Sequence, residues 1–448
     1  MLFALALTTP GCASWSPPWG PDRCTPRFDY ADGWLGGDAA YSVALPGGTP
    51  EGRRTLWLFG DSFVVKHPGK RPRDRVGAAL VHNSIALSHC DGRRFEISYH
   101  VARDASGRPV AFFDSGEESP YWWPVGAFVH AGALYVGLLE VERTPARGAL
   151  RLPFSPLGMS LARIEDPTAP PESWRPRVMK LSSSPNGIPG GAMRVHGDHV
   201  LLFGFTTQRS PRLARFLARV PLAALTGEHD DLEPYLETLG TEGDWIPGLR
   251  PDVARILMPD SSTEMSVTIH PELPPARRWL AVYGSPLQVS ESGAGRAAPS
   301  GAIFARTAPG PEGPWSPRVL VHEIREVGLD GLDGAPGMIC YAAKEHPAFD
   351  APGRLLITYV CNYADVDRAG GIATLRRLQR DMDTYVPRVI AVDVPDAFLS
   401  PPATPVRERP TGLQPARDRR GPEPAASPAS SRDAAPVASS RTRPSAPR

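Results

Sequence analysis

Two aspartates near the N-terminus stand where a predicted hairpin would bring their carboxyl groups together. The first strand of this hairpin begins at Asp38, and the second ends just beyond Asp61. In an antiparallel pair the start of one strand lies beside the end of the other, and the strands are about 5 Å apart. A register that pairs Leu45 with Thr55 places Asp38 next to Asp61. Two carboxyl groups this close could carry out acid–base chemistry.

The same hairpin recurs along the chain of 448 residues, and this repetition determines the predicted fold. Five apolar second strands start 78, 66, 79 and 76 residues apart, each with one strand before it and one after it. Such a unit is too small to bury both faces alone, so the units must pack on one another. We predict an all-β, five-bladed β-propeller, with a sandwich of similar hairpins as the alternative. The second strands are predicted at 56–60, 134–139, 200–205, 279–284 and 355–360.

The strands of a propeller blade alternate in direction, so the polar ends of many strands reach one rim of the central channel. Glu264 begins a strand of the fourth unit and would lie at this rim. In glycosidic hydrolysis one carboxyl group protonates the leaving oxygen, and a second activates water or attacks the sugar. We predict Asp38 as the base, Glu264 as the general acid, and Asp61 as a group that orients the substrate or tunes the pKa of the acid.

Amides and aromatic rings are predicted at the same rim, where they could bind a sugar. The predicted substrate-binding residues are His82, Asn83, Tyr121, Trp122, Trp123, Asn186, Asp333 and Asn362. Structural alternatives exist for these groups, because aspartates often cap turns and tryptophans can pack between blades. Two more histidines, His270 and His346, stand before proline at the opposite end of their strands, and we interpret both as turn residues.

Composition and charge exclude several other classes of protein. The chain has 52 Pro and 43 Gly, a balance that suits many strands and tight turns. Its net charge is +1, but residues 400–448 hold nine arginines against four acids, so the remainder is mildly acidic and a nucleic-acid-binding face is not indicated. No metal site and no cofactor are predicted, and a calcium ion in the channel is left open.

Both ends of the chain are predicted to lie outside the propeller. Residues 1–12 resemble a bacterial lipoprotein signal with Cys12 as the acylated residue, and 13–29 form a linker. The propeller is predicted over 30–397, and the Pro-, Ala-, Arg- and Ser-rich tail over 398–448 is predicted to be disordered. Lipidation would anchor the protein to a membrane. The expected location is therefore the bacterial cell envelope or the extracellular space.

Without Cys12 the chain has four cysteines, an even number that is compatible with two disulfides in an oxidising compartment. Cys340 and Cys361 lie on consecutive predicted strands, so their pairing is favoured. Cys24 and Cys90 are then left to pair with each other.

Four segments of the sequence also resemble a known group of proteins. They are the runs from Gly37 to Ser42 and from Leu56 to Phe63, the triplet 82–84, and residues 121–124. These segments resemble bacterial secreted propellers classified as domains of unknown function, families 5005 and 4185. More distantly, the arrangement is similar to the glycoside hydrolases of family 43. The likeness extends over about residues 30–395.

The resemblance implies an activity and a set of roles. Members of the 4185 group include enzymes that cleave arabinan. In family 43 an Asp that opens blade one is the base and a Glu that opens a later blade is the acid. Asp38 and Glu264 match these two in position. Asp61 departs from the family, because the Asp that modulates the pKa there lies in a later blade. We expect an exported glycoside hydrolase that acts on a cell-wall or plant-type polysaccharide such as an arabinofuranoside. A non-catalytic carbohydrate-binding propeller and a protein-interaction scaffold are the alternatives.

Overall fold

A computed structural model describes most of the predicted propeller. The described residues are 24–47, 53–66, 73–91, 94–147, 152–208, 213–285, 301–328, 338–363 and 372–400. Within them the chain is mostly strands and turns, which confirms the all-β prediction. The predicted signal segment with Cys12, most of the linker, Asp333 and the tail from residue 401 lie outside the described residues, so the assignments made for them stay predictions.

The strands are short and come in groups along the chain. Those of the first half are β1 (Trp34–Gly37), β2 (Tyr41–Ala44), β3 (Arg53–Phe59), β4 (Ser62–Val64), β5 (Ala79–Val81), β6 (Ser84–Cys90), β7 (Phe95–His100), β8 (Tyr121–His130), β9 (Ala133–Arg147), β10 (Leu152–Ile164), β11 (Arg177–Ser182) and β12 (Gly187–Ile188). Those of the second half are β13 (Met193–His196), β14 (His199–Thr206), β15 (Ala214–Pro221), β16 (Glu237–Leu239), β17 (Trp245–Pro247), β18 (Met265–Ile269), β19 (Trp279–Gly284), β20 (Ala302–Ala308), β21 (Val319–Glu323), β22 (Met338–Glu345), β23 (Arg354–Tyr363) and β24 (Arg388–Asp393).

Helices are few among the described residues. The α-helices are α1 (Leu222–Thr226), α2 (Ile372–Arg380) and α3 (Asp396–Leu399), and the 3₁₀ turns are Pro171–Ser173, Glu233–Tyr235, Pro275–Arg277 and Pro347–Phe349. Within the described part of the chain, none of the helices has the length and apolar character needed to cross a membrane.

Five antiparallel sheets follow one another along the chain, one for each predicted unit. Sheet one is β2-β3-β6-β7, and sheet two is β8-β9-β10-β11. Sheet three contains β12 to β17, sheet four β18 to β21, and sheet five β22-β23-β24. Each predicted second strand begins within an observed strand of its sheet. The pair β16–β17 in sheet three was not predicted.

Each sheet packs its apolar side chains against the next sheet. One strand of each sheet contacts one strand of the next in chain order, β2 with β8, β8 with β13, β13 with β18, and β18 with β22. Separate apolar clusters fill the space between consecutive sheets. Sheet five also contacts sheet one, because Phe349 stacks on Trp57 with ring centroids 5.4 Å apart. The contacts therefore lead from the first sheet through all five and back to the first.

The register of the first hairpin differs from the predicted one by one residue. Ala44, rather than Leu45, opposes Thr55, and the Leu45 amide donates to the Arg54 carbonyl. The predicted strand from Asp38 to Leu45 is broken, since Ala39 and Ala40 adopt φ values of 65° and 55°, which turn the chain before β2 begins.

A small sixth sheet, β1-β4-β5, lies beyond these breaks and was also not predicted. The predicted second strand divides into β3 and β4 at Gly60–Asp61, and the predicted third strand divides into β5 and β6 at His82–Asn83. Three strands of the first unit therefore pass from sheet one into the small sheet. Each one bends at a residue that was predicted to do chemistry.

Both predicted disulfides are present. Cys24 is bonded to Cys90 and Cys340 to Cys361, with Cα–Cα distances of 5.7 and 4.1 Å. The second disulfide joins directly opposed residues of β22 and β23. It therefore ties together the two strands that supply Tyr341, Lys344 and Asn362.

Candidate active site

The small sheet brings Asp38, Asp61 and His82 into one row. Gly37 opposes Ser62 in the pair β1–β4, and Ser62 opposes Val81 in the pair β4–β5. Asp38 follows Gly37, Asp61 precedes Ser62, and His82 follows Val81, so these three residues continue the row. The Asp38 amide accordingly donates to the Asp61 carbonyl, at 3.4 Å. The closeness of the two aspartates was predicted correctly, but the small sheet, rather than the hairpin alone, produces it.

Asp38 is held by two tyrosines of sheet five and the segment before β24. Its Oδ2 accepts a hydrogen bond from the Tyr341 hydroxyl at 2.7 Å and another from Tyr385 at 3.2 Å. Burial, followed by the negative charges of Asp61 and Glu264, raises the pKa of Asp38 to about 7, while the two tyrosine hydrogen bonds oppose this rise. Asp38 can therefore gain or lose a proton near neutral pH.

Left-handed backbone conformations of residues other than glycine surround this carboxyl group. Ala39 and Ala40 follow it directly, and Ala342 and Tyr385 have φ values of 61° and 59°. Such conformations are uncommon for residues with a Cβ atom and need support from their surroundings. The register of β22 against β23 also shifts between Tyr341 and Lys344. This bulge re-aims both side chains towards sheet one.

Glu264 lies just before β18 and forms an ion pair with Lys344 of β22. Lys344 Nζ donates to Glu264 Oε2 at 2.8 Å, and it also donates to the carbonyl groups of Ala39 and Ala342. The lysine side chain is 2% exposed and that of Glu264 is 18% exposed. Burial lowers the pKa of Lys344, and the Glu264 charge opposes that change. The ammonium group stabilises the charged form of the Glu264 carboxylate.

Tyr41 completes the surroundings of this ion pair. Lys344 Nζ lies 4.2 Å from the centroid of the Tyr41 ring, an arrangement that favours the lysine cation. Burial and the nearby Glu264 charge raise the pKa of the Tyr41 hydroxyl well above its usual value. Lys344 thus links the backbone next to Asp38 with the Glu264 carboxylate.

A buried arginine, Arg215 of β15, holds the loop that leads to Glu264. Its guanidinium donates to the carbonyl groups of Ser262 and Thr263 and to Ser261 Oγ. The Ser262 hydroxyl donates in turn to the Glu264 carbonyl at 2.6 Å. Because these contacts fix the backbone on both sides of residue 263, Glu264 is presented from a restrained loop.

Asp61 has different partners and stands at the edge of the site. Its Oδ1 accepts from Trp123 Nε1 at 2.8 Å and from His82 Nδ1 at 3.2 Å. The His82 ring stacks on Tyr121 with a centroid distance of 3.7 Å. Phe154 meets the Trp123 ring edge-on at 4.7 Å. The side chains of Asp61 and His82 are 24% and 23% exposed, so solvent reaches both.

The structure places Trp122 and Asn83 apart from the group formed by Asp61, His82 and Trp123. Successive residues of a strand point to opposite faces, so Trp122 lies away from its neighbours Tyr121 and Trp123 and packs in the apolar cluster between sheets one and two. Asn83 is fully buried, and its amide bonds to the backbone of Phe113 and Trp122. Both residues support the site from behind.

The remaining predicted residues divide between the site and the surface. Asn362 donates to the Tyr341 hydroxyl at 3.3 Å, so it belongs to the group of residues around Asp38. Asn186 is exposed, and its backbone rather than its side chain bonds to Thr206 and Ser184. Asp333 lies outside the described residues.

Tyr341, Tyr385, Lys344 and Arg215 were not predicted. Tyr385 lies 347 residues from Asp38 in the sequence, and Lys344 lies 80 residues from Glu264. Of these four residues, Lys344 could have been recognised from the sequence. A lysine among the apolar residues of an inner strand requires a buried partner for its charge.

The arrangement can perform proton transfer beside a fixed negative charge. Asp38 has a pKa of about 7, and the Glu264 carboxyl group is paired with Lys344. Asp61 adds a third carboxyl group next to aromatic rings. Two carboxyl groups that differ in this way are the minimum for acid–base hydrolysis of a glycosidic bond.

The first half of the chain matches a family model. Residues 26–239 match the family described as "Domain of unknown function (DUF5005)". This confirms the resemblance to family 5005 over a range that includes Asp38, Asp61 and the aromatic segment of β8. The resemblance to family 4185 stays a prediction. None of the curated proteins matches the chain.

Several solved structures align with most of the chain. A protein from Bacteroides ovatus described as a candidate hydrolase aligns with a TM-score of 0.53 at 16% identity, over 80% of this chain and 86% of that one. A family 43 β-xylosidase/α-arabinofuranosidase from a compost metagenome, in complex with xylotriose and in calcium-free form, aligns at 0.40 and 10%, over 81% and 92%. A family 117 glycoside hydrolase from Zobellia galactanivorans aligns at 0.39 and 12%, over 84% and 91%. The first likeness supports the fold alone.

Proposed function

We propose that this protein is a glycoside hydrolase whose reacting carboxyl groups are Asp38 and Glu264. The observation that carries the proposal is the pair of unlike environments: two tyrosines bond to a carboxyl group with a pKa of about 7, and a buried lysine holds the other. A group that must exchange a proton works best with a pKa near the working pH. We further propose that the five sheets are the five blades of a propeller.

The same observations favour the reverse of the catalytic roles that were predicted for Asp38 and Glu264. Glu264 forms an ion pair with the buried Lys344, and a carboxylate with a cationic partner suits a base or a nucleophile better than the general acid predicted from the sequence. Asp38 is the group that holds a proton, so we assign it as the proton donor to the leaving oxygen. Asp61 fixes His82 and Trp123 at the edge of the site and takes the supporting role.

The proposed substrate is a polysaccharide of the cell-wall or plant type, such as an arabinofuranoside. The partly exposed rings of Trp123, Phe154 and His82 offer apolar faces next to Asp61, and sugars present C–H faces to such rings. We also propose export of the protein, and its membrane attachment through a lipidated Cys12; neither rests on the described residues.

Release of reducing sugar from arabinans, xylans and bacterial cell-wall polysaccharides tests the activity. The wild type should release sugar from at least one of them, and Asp38→Asn should lose about 10²–10⁴-fold in kcat/KM because it cannot transfer the proton. Asp230→Asn is the matched control, since it changes an exposed aspartate that pairs with Arg177. Equal activity of Asp38→Asn and the control would remove Asp38 from the reaction.

The pH dependence of kcat/KM separates the two divisions of roles. If Asp38 donates the proton, activity falls as the pH rises above about 7; if Asp38 is the base, activity falls as the pH drops below about 7. Tyr341→Phe removes a hydrogen bond that lowers the pKa of Asp38, so the same limb should move to higher pH. An unmoved limb would show that another group titrates.

A non-catalytic carbohydrate-binding propeller is the second candidate. It is favoured by the fact that Asp38, Asp61 and Glu264 all have fixed hydrogen-bond partners, so their oxygens could serve as placed acceptors for sugar hydroxyls. Calorimetry with the same polysaccharides distinguishes it. Binding without any sugar release by the wild type would favour this candidate over hydrolysis.

A further inference from the structure

A second group of ionisable side chains lies at the other end of the strands that carry the candidate site. It consists of His270, just after β18, Glu345, the last residue of β22, and Asp350 in the loop before β23. Glu264 and His270 stand at the two ends of β18, so about 20 Å of strand separates this group from the site.

The three side chains converge on one point. One ligand atom from each, a histidine nitrogen and two carboxylate oxygens, lies within 4.8 Å of the others. His270 Nε2 is 2.6 Å from Glu345 Oε1, and the Thr268 hydroxyl donates to Glu345 Oε2 at 2.6 Å. Glu345 is 0% exposed and His270 is 6% exposed, so water does not screen the group.

The other nitrogen of the His270 ring is held by an additional carboxylate. Nδ1 lies 2.6 Å from Glu272 Oε1, while Nε2 faces Glu345 and Asp350. Histidines that bind metals characteristically donate their second ring N–H to a carboxylate, which fixes the tautomer and the ring orientation. The turn His270-Pro271-Glu272 therefore has the layout of a metal-binding histidine with its orienting group.

Asp350 lies against Glu345, and burial, followed by the charge of Glu345 and a hydrogen bond to it, raises the pKa of Asp350 to about 9. Its Oδ1 accepts from the Leu356 amide at 2.7 Å, which orients the carboxyl group. Its Oδ2 is buried and receives no hydrogen bond from the described residues. A buried carboxylate oxygen without a donor is costly unless a cation or a proton satisfies it. This oxygen belongs to the same three-atom group as His270 and Glu345.

We propose that His270, Glu345 and Asp350 bind one divalent transition-series cation, with Zn²⁺ as the preferred ion. Imidazole nitrogen and carboxylate oxygen are both ligands of Zn²⁺, at Zn–N and Zn–O distances of about 2.0–2.2 Å, and water can complete the coordination. Ca²⁺ takes six to eight oxygen ligands, so an imidazole in the set disfavours it. The ion has a structural role, because it joins the end of sheet four to the end of sheet five.

Metal analysis and calorimetry on metal-free protein test the proposal. A Cys12→Ser background removes the cysteine outside the two disulfides as a competing ligand. We expect one Zn²⁺ per chain, at least tenfold tighter binding of Zn²⁺ than of Ca²⁺, and an increase in Tm when Zn²⁺ is added. Affinity should fall as the pH is lowered, since protons compete for the ligands.

Isosteric variants identify the ligands. Asp350→Asn and Glu345→Gln should each weaken Zn²⁺ binding at least tenfold, and Glu272→Gln should weaken it by about 10–100-fold through the orientation of the ring. His199→Gln is the control, because His199 pairs with a single exposed aspartate, Asp198. If a variant fails to fold, X-ray absorption of the zinc-loaded wild type must show one nitrogen and at least two oxygen ligands. Absence of stoichiometric binding, unchanged affinity in Asp350→Asn, or a preference for Ca²⁺ would each overturn the proposal.

Discussion

Two ion pairs join sheet four to sheet five at opposite ends of the same strands, and their polarity is reversed. At the rim end the acid, Glu264, comes from sheet four and the base, Lys344, from sheet five. At the far end the base, His270, follows sheet four and the acid, Glu345, belongs to sheet five. Lys344 and Glu345 are consecutive residues, so one short segment supplies a partner to both pairs.

The two pairs differ in what surrounds their carboxylates. Glu264 remains partly exposed and its charge contributes to the raised pKa of Asp38. Glu345 is sealed, with partners on both of its oxygens. An acid that reacts with a substrate must be reachable, whereas an acid that joins two sheets gains from being enclosed. On the proposed function, the rim end therefore supplies the reacting groups and the far end contributes to stability.

The largest expected effect is the loss of activity on changing the exposed member of the rim pair. Glu264→Gln keeps the shape of the side chain and an acceptor for Lys344, but it removes the charge that the reaction uses. We expect kcat/KM to fall by about 10²–10⁴-fold on the most active polysaccharide. Glu345→Gln, assayed below its own unfolding transition, should keep the activity within a few-fold of the wild type. A comparable loss of activity in both variants would abolish the distinction between the two ends.

The next largest effect is on the free energy of unfolding, which Glu345→Gln should lower more than Glu264→Gln. In metal-free protein, Glu345→Gln leaves the His270 cation buried without its closest partner, and breaking a buried ion pair in this way costs about 3–5 kcal/mol. Glu264→Gln should lower the free energy of unfolding by less, because Lys344 retains the carbonyl groups of Ala39 and Ala342. Urea unfolding of both variants measures the difference. A larger loss in Glu264→Gln would contradict the assignment of the far end to stability.

The alternation and spacing of apolar residues were sufficient to predict the five units and the closeness of Asp38 and Asp61. They could not predict the breaks after Asp38 and at His82, because these depend on left-handed conformations at alanines and on pairing in a sheet of three separated segments. Alternation within β8 could have separated Trp122 from Trp123. The tyrosines on Asp38 and the lysine on Glu264 come from distant segments. The packing of sheet five against sheet one brings Tyr341 near Asp38, and the packing of sheet five against sheet four brings Lys344 near Glu264.

The charge states of the two histidines in the matching His-Pro turns could not be predicted from the sequence either. Both lie at the far end of their strands, as predicted. Burial opposes the charged form of His270, but the hydrogen bonds and charges of Glu345 and Glu272 outweigh it and raise the pKa to about 9. His346 contacts only the hydroxyl groups of Ser42 and Thr358 through its ring nitrogens, and burial lowers its pKa to about 3. The two His-Pro turns therefore hold their histidines in different charge states, because carboxylates face His270 and hydroxyl groups face His346.

This difference predicts opposite pH dependences for the two turns, measured on metal-free protein. The folded His270 pKa lies above its unfolded value of about 6.5, so its contribution to stability is complete below that pH and is lost as the pH rises to about 9, by at most about 3 kcal/mol. The folded His346 pKa lies below the unfolded value, so its contribution is lost as the pH falls from about 6.5 towards 3. His270→Gln should flatten the alkaline limb of the stability curve, and His346→Gln the acid limb. A variant that flattens the other limb would show that the charge assignment is wrong.

The smallest effects come from the uncharged residues that support each end. Thr268→Val removes the hydroxyl that donates to Glu345 and should lower the free energy of unfolding by about 1–2 kcal/mol without changing kcat/KM. Asn362→Ala removes the donor to the Tyr341 hydroxyl and should reduce kcat/KM by roughly tenfold or less, with the unfolding transition nearly unchanged, because Asn362 is partly exposed. The free energy of unfolding and kcat/KM should be measured for both variants, and each variant should change mainly one of the two. Since neither substitution alters a charge, an effect of Thr268→Val on activity would mean that the far end is coupled to the rim through the strands β18 and β22.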